Sequence, residues 1–124
     1  MVRRIAIQLG LVVALLVFVL PAPAQGNEAV VFRQVNVRHL TGQVTDINGE
    51  SISGAVVEDC DPTFNRVLVS TTTDANGRFS FTQAKNGTVH YLNVRYPNFD
   101  LTRIPVKLRF FARSEVHIKL HVGE

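Results

Sequence analysis

Three Asn-Gly pairs each stand between two short runs that are rich in apolar and β-branched residues: Asn48-Gly49, Asn76-Gly77 and Asn86-Gly87. Asn and Gly tolerate the positive φ angles with which a chain reverses tightly between twisted antiparallel strands. The flanking runs alternate apolar and polar residues, which places one face of a strand in a core and the other in water. The chain from Leu40 onward is therefore predicted to be all-β, with Gly77 at positive φ in one of its corners.

The alternation predicts seven strands, at residues 40–46, 55–60, 67–74, 79–83, 88–96, 102–110 and 115–122. In the last two strands, Phe110 and Val122 continue the apolar positions and are expected to face the core. No stretch in this region keeps helical periodicity for three turns. Seven half-buried strands at this spacing predict a seven-stranded antiparallel Greek-key β-sandwich.

The first 24 residues have the order of a secretory signal peptide. Arg3 and Arg4 precede an uncharged apolar run, and small residues in an A-x-A pattern follow at Ala22 and Ala24. Cleavage after Ala24 would start the mature chain at Gln25 and make the protein an exported bacterial one, periplasmic or extracellular. The alternative is an uncleaved anchor, although the run is shorter than the roughly 20 residues that a spanning helix needs.

The lead-in at residues 25–39 and the single cysteine leave open questions. The sequence does not decide whether the start of the lead-in packs on the sandwich domain, predicted for residues 40–124. Cys60 has no partner for an internal disulfide, and free Cys is most often a small buried hydrophobe, although a reactive or intermolecular thiol is the alternative. Without Arg3 and Arg4 the net charge falls from +3 to +1, which does not favour a nucleic-acid partner.

Three segments carry a family resemblance: LTGQVTD at 40–46, ISGAVV at 52–57 and TDANGRFSF at 73–81. Together they resemble the carboxypeptidase regulatory-like domain, and the resemblance extends over about residues 40–124. It implies a transthyretin-like (prealbumin-like) sandwich that acts as a spacer or binding module without catalysis. The chain departs from the family pattern at three positions: Ser51 stands where the family usually has Pro, His90 where it has Tyr and Asn98 where it has Gly. Its segment 59–61 is also more polar than is usual in the family.

No cofactor, metal or catalytic residue is predicted. His117 and His121 would lie about 13 Å apart along a strand, too far for one ion. Asp59 and Asp61 lack the ligand spacing of a calcium loop and fit turn chemistry. No local motif joins a nucleophile to a base. The C-terminal Tyr-Arg-Gly-Ser of the 5-hydroxyisourate hydrolases, which share the transthyretin-like fold, is missing from the end of this sequence.

The sequence therefore predicts an exported, non-catalytic module of the cell envelope that binds protein or carbohydrate or serves as a structural accessory. The alternative is a small hydrolase or carbohydrate-active accessory. The protein is expected to meet the membrane only transiently, through its signal peptide before cleavage.

A partner surface is predicted from the alternation of connections between the two ends of a sandwich. One end would gather Phe64, Arg66, Phe111 and Arg113, and aromatic and Arg side chains are enriched at binding hot spots. The alternative is that both Phe side chains turn inward and plug the sandwich.

Overall fold

The computed structural model describes residues 29–123, and the regular structure in that range is β-strand. Nine strands occur in chain order: β1 Val30–Val31, β2 Val35–Val37, β3 Thr41–Thr45, β4 Val56–Cys60, β5 Val67–Thr72, β6 Arg78–Ser80, β7 Val89–Arg95, β8 Thr102–Leu108 and β9 Val116–Lys119. The seven predicted strands are confirmed as β3 to β9, with ends that differ by a few residues. The predicted signal peptide at 1–24 lies outside the described residues. Between residues 29 and 123 no helix is long and apolar enough to span a bilayer.

The strands form two sheets, which confirms the sandwich. The larger sheet has the order β1-β8-β7-β4-β5, with β2 also paired to β8, and the smaller sheet has the order β6-β3-β9. The chain passes repeatedly from one sheet to the other. Four of the strand pairs are antiparallel, as predicted, whereas β3 pairs with β9 in parallel and β1 and β2 pair with β8 in parallel. No hairpin joins these strands, so nothing forces them to run in opposite directions.

The lead-in packs on the larger sheet. The Val30 amide donates to the Leu101 carbonyl at 2.8 Å, and the Phe32 amide donates to the Arg103 carbonyl at 2.9 Å. The side chains of Phe32 and Val35 lie against the core. The question left open by the sequence is thereby answered for residues 30–37: they cover the edge of β8, which would otherwise expose unpaired backbone groups.

The core lies between the two sheets and follows the predicted alternation. Its fully buried side chains include Val44 from β3, Leu92 from β7, Val106 from β8 and Ile118 from β9. Phe79 is buried, and its ring contacts Phe81 edge-on, with 6.1 Å between ring centroids. Both sheets thus contribute one apolar face, as a small domain with a single core requires.

Two residues expected in the core are exposed. Phe110 is 68% exposed because β8 ends at Leu108 and the chain then turns, with the Ala112 amide bonded to the Arg109 carbonyl at 3.3 Å. Val122 is 62% exposed because β9 ends at Lys119. The alternation therefore continues in the sequence beyond the point where each strand leaves its sheet.

The Asn-Gly corners adopt the predicted geometry. Gly77 has φ of 74°, and a Cβ atom there would lie 2.5 Å from the Val44 carbonyl oxygen. In the same turn the Asp74 carboxylate accepts hydrogen bonds from the Asn76 and Arg78 amides, each at 2.9 Å. Asn98, which replaces the family's Gly, also has positive φ, at 72°, a conformation that Asn tolerates.

The connections alternate between the two ends of the sandwich, as predicted. The strand pairing places Cys60 opposite Tyr91 and His90 opposite Val106, so the segments that follow β4, precede β7 and follow β8 share one end. We call this the tip end, formed by residues 38–40, 61–66, 81–88 and 109–115. The turn end is formed by residues 46–55, 73–77 and 96–101.

Candidate functional site

The most exposed aromatic side chains of the described residues lie on one turn at the tip end. The Ala112 amide donates to the Arg109 carbonyl at 3.3 Å, which closes a tight turn with Phe110 and Phe111 at its two corners. Phe111 is 95% exposed, and the two rings contact each other edge-on with 5.0 Å between centroids. We call these two residues the aromatic tip. Neither ring contributes to the core, so their exposure has no explanation in folding.

Arginine side chains surround the aromatic tip. The Arg38 amide donates to the Arg113 carbonyl at 2.8 Å, which ties the segment after β2 to the link before β9. This contact brings Arg38, Arg109 and Arg113, all exposed, to the same end of the molecule. Among the described residues, none of the three forms an ion pair with an acidic side chain. Their charges are therefore directed to solvent or to a partner.

Two open clefts flank the aromatic tip. The first, of about 420 Å³, is lined by Lys107, Arg109 and the Asn86-Gly87 corner, together with both Phe residues. The second, of about 430 Å³, is lined by Arg109 and Arg113 and by the polar side chains of Gln34 and Asn36, together with Phe111. Neither lining includes an Asp or Glu residue of the described chain. Each cleft therefore offers two cations and amide groups beside an exposed aromatic ring.

The four predicted surface residues fall into two groups. Phe111 and Arg113 lie at the aromatic tip. Phe64 and Arg66 belong to the loop between β4 and β5 at the same end, and the Phe64 ring lies over β7 and β8, against Tyr91 and Arg103. Phe111 and Arg113 line one cleft together, and neither Phe64 nor Arg66 is part of that lining. A binding role for any of the four stays a prediction.

Phe64 packs on the outer face of the larger sheet rather than inside the sandwich. Its ring contacts Tyr91 edge-on with 5.5 Å between centroids, and the Arg103 guanidinium lies 5.4 Å from its ring centre. It has φ of 65°, an unusual conformation for a bulky residue that surrounding contacts must hold. Since Phe111 is exposed, neither ring plugs the sandwich as the alternative expected.

The loop at 61–66 is held by one carboxylate. Asp61 Oδ1 accepts hydrogen bonds from the Thr63 hydroxyl at 2.8 Å and from the amides of Thr63, Asn65 and Arg66. The Thr63 hydroxyl bond is the main reason why the pKa of Asp61 lies below its ordinary value. One oxygen atom that accepts four donors in this way organises a turn and does not present itself to a cation.

This loop also covers the free cysteine. Asn93 donates from Nδ2 to the Phe64 carbonyl at 3.2 Å and to Cys60 Sγ at 3.3 Å. Burial is the main cause of the raised pKa of the Cys60 thiol, and the nearby Glu58 and Asp59 carboxylates add to it. A buried thiol that resists ionisation is a poor nucleophile.

A hydroxyl, an imidazole and a carboxylate form a hydrogen-bonded chain at the tip end. Thr88 Oγ1 lies 2.7 Å from His90 Nε2, and His90 Nδ1 lies 2.7 Å from Asp59 Oδ2. His90 and Asp59 are two of the positions where the sequence departs from the family pattern, and they are 31 residues apart. These two departures from the family pattern are the only sign of the pair in the sequence, and the pairing of β4 with β7 is needed to show that the two side chains meet.

The geometry of this chain opposes a catalytic role for Thr88. Its hydroxyl donates to the Lys85 carbonyl at 2.5 Å, so its proton is not directed at the imidazole. The Lys85 carbonyl thus competes with His90 Nε2 for the single Thr88 proton, whereas activation of a nucleophile requires that proton to go to the base. The pair Asp59 and His90 borders an open cavity of about 280 Å³ that Phe81 and several hydroxyl groups also line.

The remaining histidines, His39, His117 and His121, are exposed, and of these only His117 lies in a strand. His117 Nε2 is 3.5 Å from Glu115 Oε2, and Glu115 also binds the Arg78 guanidinium. Within residues 29–123 no three His, Cys, Asp or Glu side chains converge as metal ligands would.

The fold and the sequence agree with one known family. The family model of the carboxypeptidase regulatory-like domain matches residues 39–121, which span β3 to β9 and make up more than half of the chain. No curated protein matches the chain significantly. The matched region includes the three Asn-Gly corners and all but two of the strands. On this match, the chain belongs to the carboxypeptidase regulatory-like domain family.

Proposed function

We propose that this chain is an exported, non-catalytic binding module of the bacterial cell envelope that contacts its partner through the aromatic tip. Membership of a family of regulatory-like modules supports the absence of catalysis. The signal-peptide pattern of residues 1–24 supports export. A mass spectrum of the native protein tests export directly, since the proposal requires a chain that starts at Gln25 and a species that retains Met1 contradicts it.

The observation that carries the proposal is the exposure of Phe110 and Phe111 side by side. Burying a Phe side chain is worth about 1.5–3 kcal/mol, so two exposed rings forgo a substantial free energy unless a partner covers them. Isolated exposed apolar residues are ordinary on protein surfaces, whereas an adjacent aromatic pair with arginines around it has the composition of a binding hot spot. The turn places the pair at a corner of the domain, where a partner meets no obstruction from the sheets.

A second candidate function uses the cavity beside Asp59 and His90. A carboxylate, hydroxyl groups and the Phe81 ring are the groups with which proteins bind a sugar ring, and the cavity supports a carbohydrate-active accessory or small hydrolase. The direction of the Thr88 hydrogen bond favours binding over hydrolysis. Isothermal titration calorimetry of the purified domain with neutral monosaccharides tests this candidate. A heat of binding that is present in the wild type and absent in Phe81→Ala would favour it.

Sedimentation with native envelope fragments tests the main proposal. The mature wild-type chain is expected to pellet with the fragments, and Phe110→Ser/Phe111→Ser is expected to stay in solution. The matched control is Ile47→Ser/Val122→Ser, which removes two exposed apolar side chains from the opposite end, 59% and 62% exposed. Loss of pelleting in the control, or its retention in the tip variant, would show that the partner binds elsewhere.

A further inference from the structure

The aromatic tip has a shape and a charge that identify a class of partner. Resting on the proposed function, we propose that the tip docks on the surface of an anionic phospholipid bilayer, with Phe110 and Phe111 in the interface and lipid phosphates in the two flanking clefts. This replaces the expectation that the protein meets the membrane only transiently, through its signal peptide.

The first argument is shape. Phe110 and Phe111 project from the corners of a tight turn and lie in no groove, and Phe111 is 95% exposed. A protein partner would need a preformed pocket for each ring, because protein interfaces match in shape at their centre. A bilayer interface accepts exposed aromatic rings without a preformed pocket, and aromatic side chains concentrate there.

The second argument is the chemistry of the clefts. Arg109 and Phe111 line both clefts, while Lys107 completes the first and Arg113 the second. Each cleft therefore pairs two cations with an exposed ring, and neither lining contains an acidic side chain. Arginine forms bidentate hydrogen bonds with phosphate, and cations close to an anionic membrane add to its attraction. Exposed aromatic rings between two open basic clefts match a surface of anionic headgroups above acyl chains.

The third argument is the distribution of charge between the two ends. The tip-end connections carry Arg38, Arg66, Lys85, Arg109 and Arg113 against two acids, Asp61 and Glu115. The loop itself occupies Asp61 Oδ1, and Arg78 binds Glu115. The turn-end connections carry Asp46, Glu50, Asp74 and Asp100 and no Lys or Arg. An anionic membrane would attract one end and repel the other, which orients the domain with its tip down.

The absence of Trp from the chain permits a direct test of insertion. Phe111→Trp would place the only indole in the aromatic tip, and Val122→Trp would place it at the turn end as a matched control. On addition of equimolar phosphatidylglycerol and phosphatidylcholine vesicles, the emission of the first variant is expected to shift to the blue. The control is expected to show no shift, and neither variant should shift with vesicles of phosphatidylcholine alone.

Co-sedimentation with the same vesicles measures the two contributions. Phe110→Ser/Phe111→Ser and Arg109→Gln/Arg113→Gln are each expected to weaken binding by about tenfold or more. Ile47→Ser/Val122→Ser is expected to bind as the wild type does, and added salt is expected to weaken wild-type binding. Circular dichroism confirms that each variant is folded.

The outcomes separate this inference from the proposed function. If the wild type pellets with native envelope fragments but not with the anionic vesicles, the partner is a protein or a glycan and the lipid inference is wrong. If it pellets with neither, both proposals are wrong. Equal binding to neutral and anionic vesicles, or an Arg109→Gln/Arg113→Gln variant that binds normally, would overturn the role of the basic clefts.

Discussion

The two ends of the sandwich are built in different ways. At the turn end, Asp46 and Asp74 each accept two backbone hydrogen bonds within their own connection, all at 2.9 Å, and the glycines of the Asn-Gly corners take positive φ. At the tip end, an aromatic pair and several arginines face solvent. These carboxylates and glycines of the turn end are thus explained by folding. The tip end holds an aromatic pair that folding does not use, and this difference is the basis of the proposed binding surface.

The first prediction has the largest expected effect on stability and concerns a substitution at the turn end. Gly77→Val is expected to lower the free energy of unfolding by about 2–4 kcal/mol, because valine is strained at positive φ and its Cβ would lie 2.5 Å from the Val44 carbonyl oxygen. Gly49→Val is the matched control, since Gly49 also has positive φ but open space around it. Its expected loss is about 1–2 kcal/mol, from φ alone. Urea denaturation measures both, and equal losses would show that the close approach at Gly77 is unimportant.

The same contrast explains how much the sequence could predict. Turn chemistry and alternation act over a few residues, so the corners at Asn48-Gly49 and Asn76-Gly77 and all seven strands were readable. The parallel pairing of Val35 with Val106 joins segments that are 71 residues apart and leaves no local signal. The exposure of Phe110 was missed because apolar alternation continues past Leu108, whereas the chain leaves the sheet in the turn closed by the Ala112 amide and the Arg109 carbonyl.

The candidate site was predictable only in part. The end of the sandwich at which Phe111 and Arg113 lie was predictable, because the end at which each connection lies follows from counting strands. Phe64 was expected beside them, but a loop's path depends on its own contacts, here with Tyr91, Arg103 and Asn93. Composition named the residue types of a binding surface, and tertiary packing decided which of them are exposed.

The second prediction tests whether the largely buried Asp59–His90 pair stabilises the tip end. Asp59→Ala is expected to lower the free energy of unfolding by about 1–3 kcal/mol, since it leaves the largely buried His90 without its partner. Glu58→Ala, on the same strand, breaks the more exposed pair with Arg95 and is expected to lose about 0.5 kcal/mol. Combining Asp59→Ala with His90→Ala in a double-mutant cycle isolates the coupling. No coupling would mean that the pair does not stabilise this end.

The third prediction compares one carboxylate from each end in acid. The pKa of Asp74 at the turn end is lowered by hydrogen bonds from the Arg78 and Asn76 amides, and that of Asp61 at the tip end chiefly by the Thr63 hydroxyl. A folded-state pKa below the unfolded value favours the carboxylate in the folded state. The stabilisation is therefore complete above the unfolded pKa of about 4 and is lost as the pH falls through the folded pKa.

Urea midpoints measured from neutral to acidic pH check this third prediction. Asp61→Asn and Asp74→Asn keep an acceptor oxygen but cannot be protonated in this range, so each variant should lose less stability on acidification than the wild type does. Curves that run parallel to the wild-type curve would show that neither carboxylate contributes to acid sensitivity.

The fourth prediction has the smallest expected effect on stability and tests the contrast between the two ends most directly. Because Phe110 and Phe111 contact little but each other and solvent, Phe110→Ser/Phe111→Ser is expected to change the free energy of unfolding by no more than about 0.5 kcal/mol. The same variant is expected to abolish binding to envelope fragments. A change in function without a change in stability distinguishes a binding surface from a structural one. A thermal and urea denaturation series decides the matter: a loss of more than about 1 kcal/mol would mean that the rings help to hold the turn, and their exposure would no longer point to a partner.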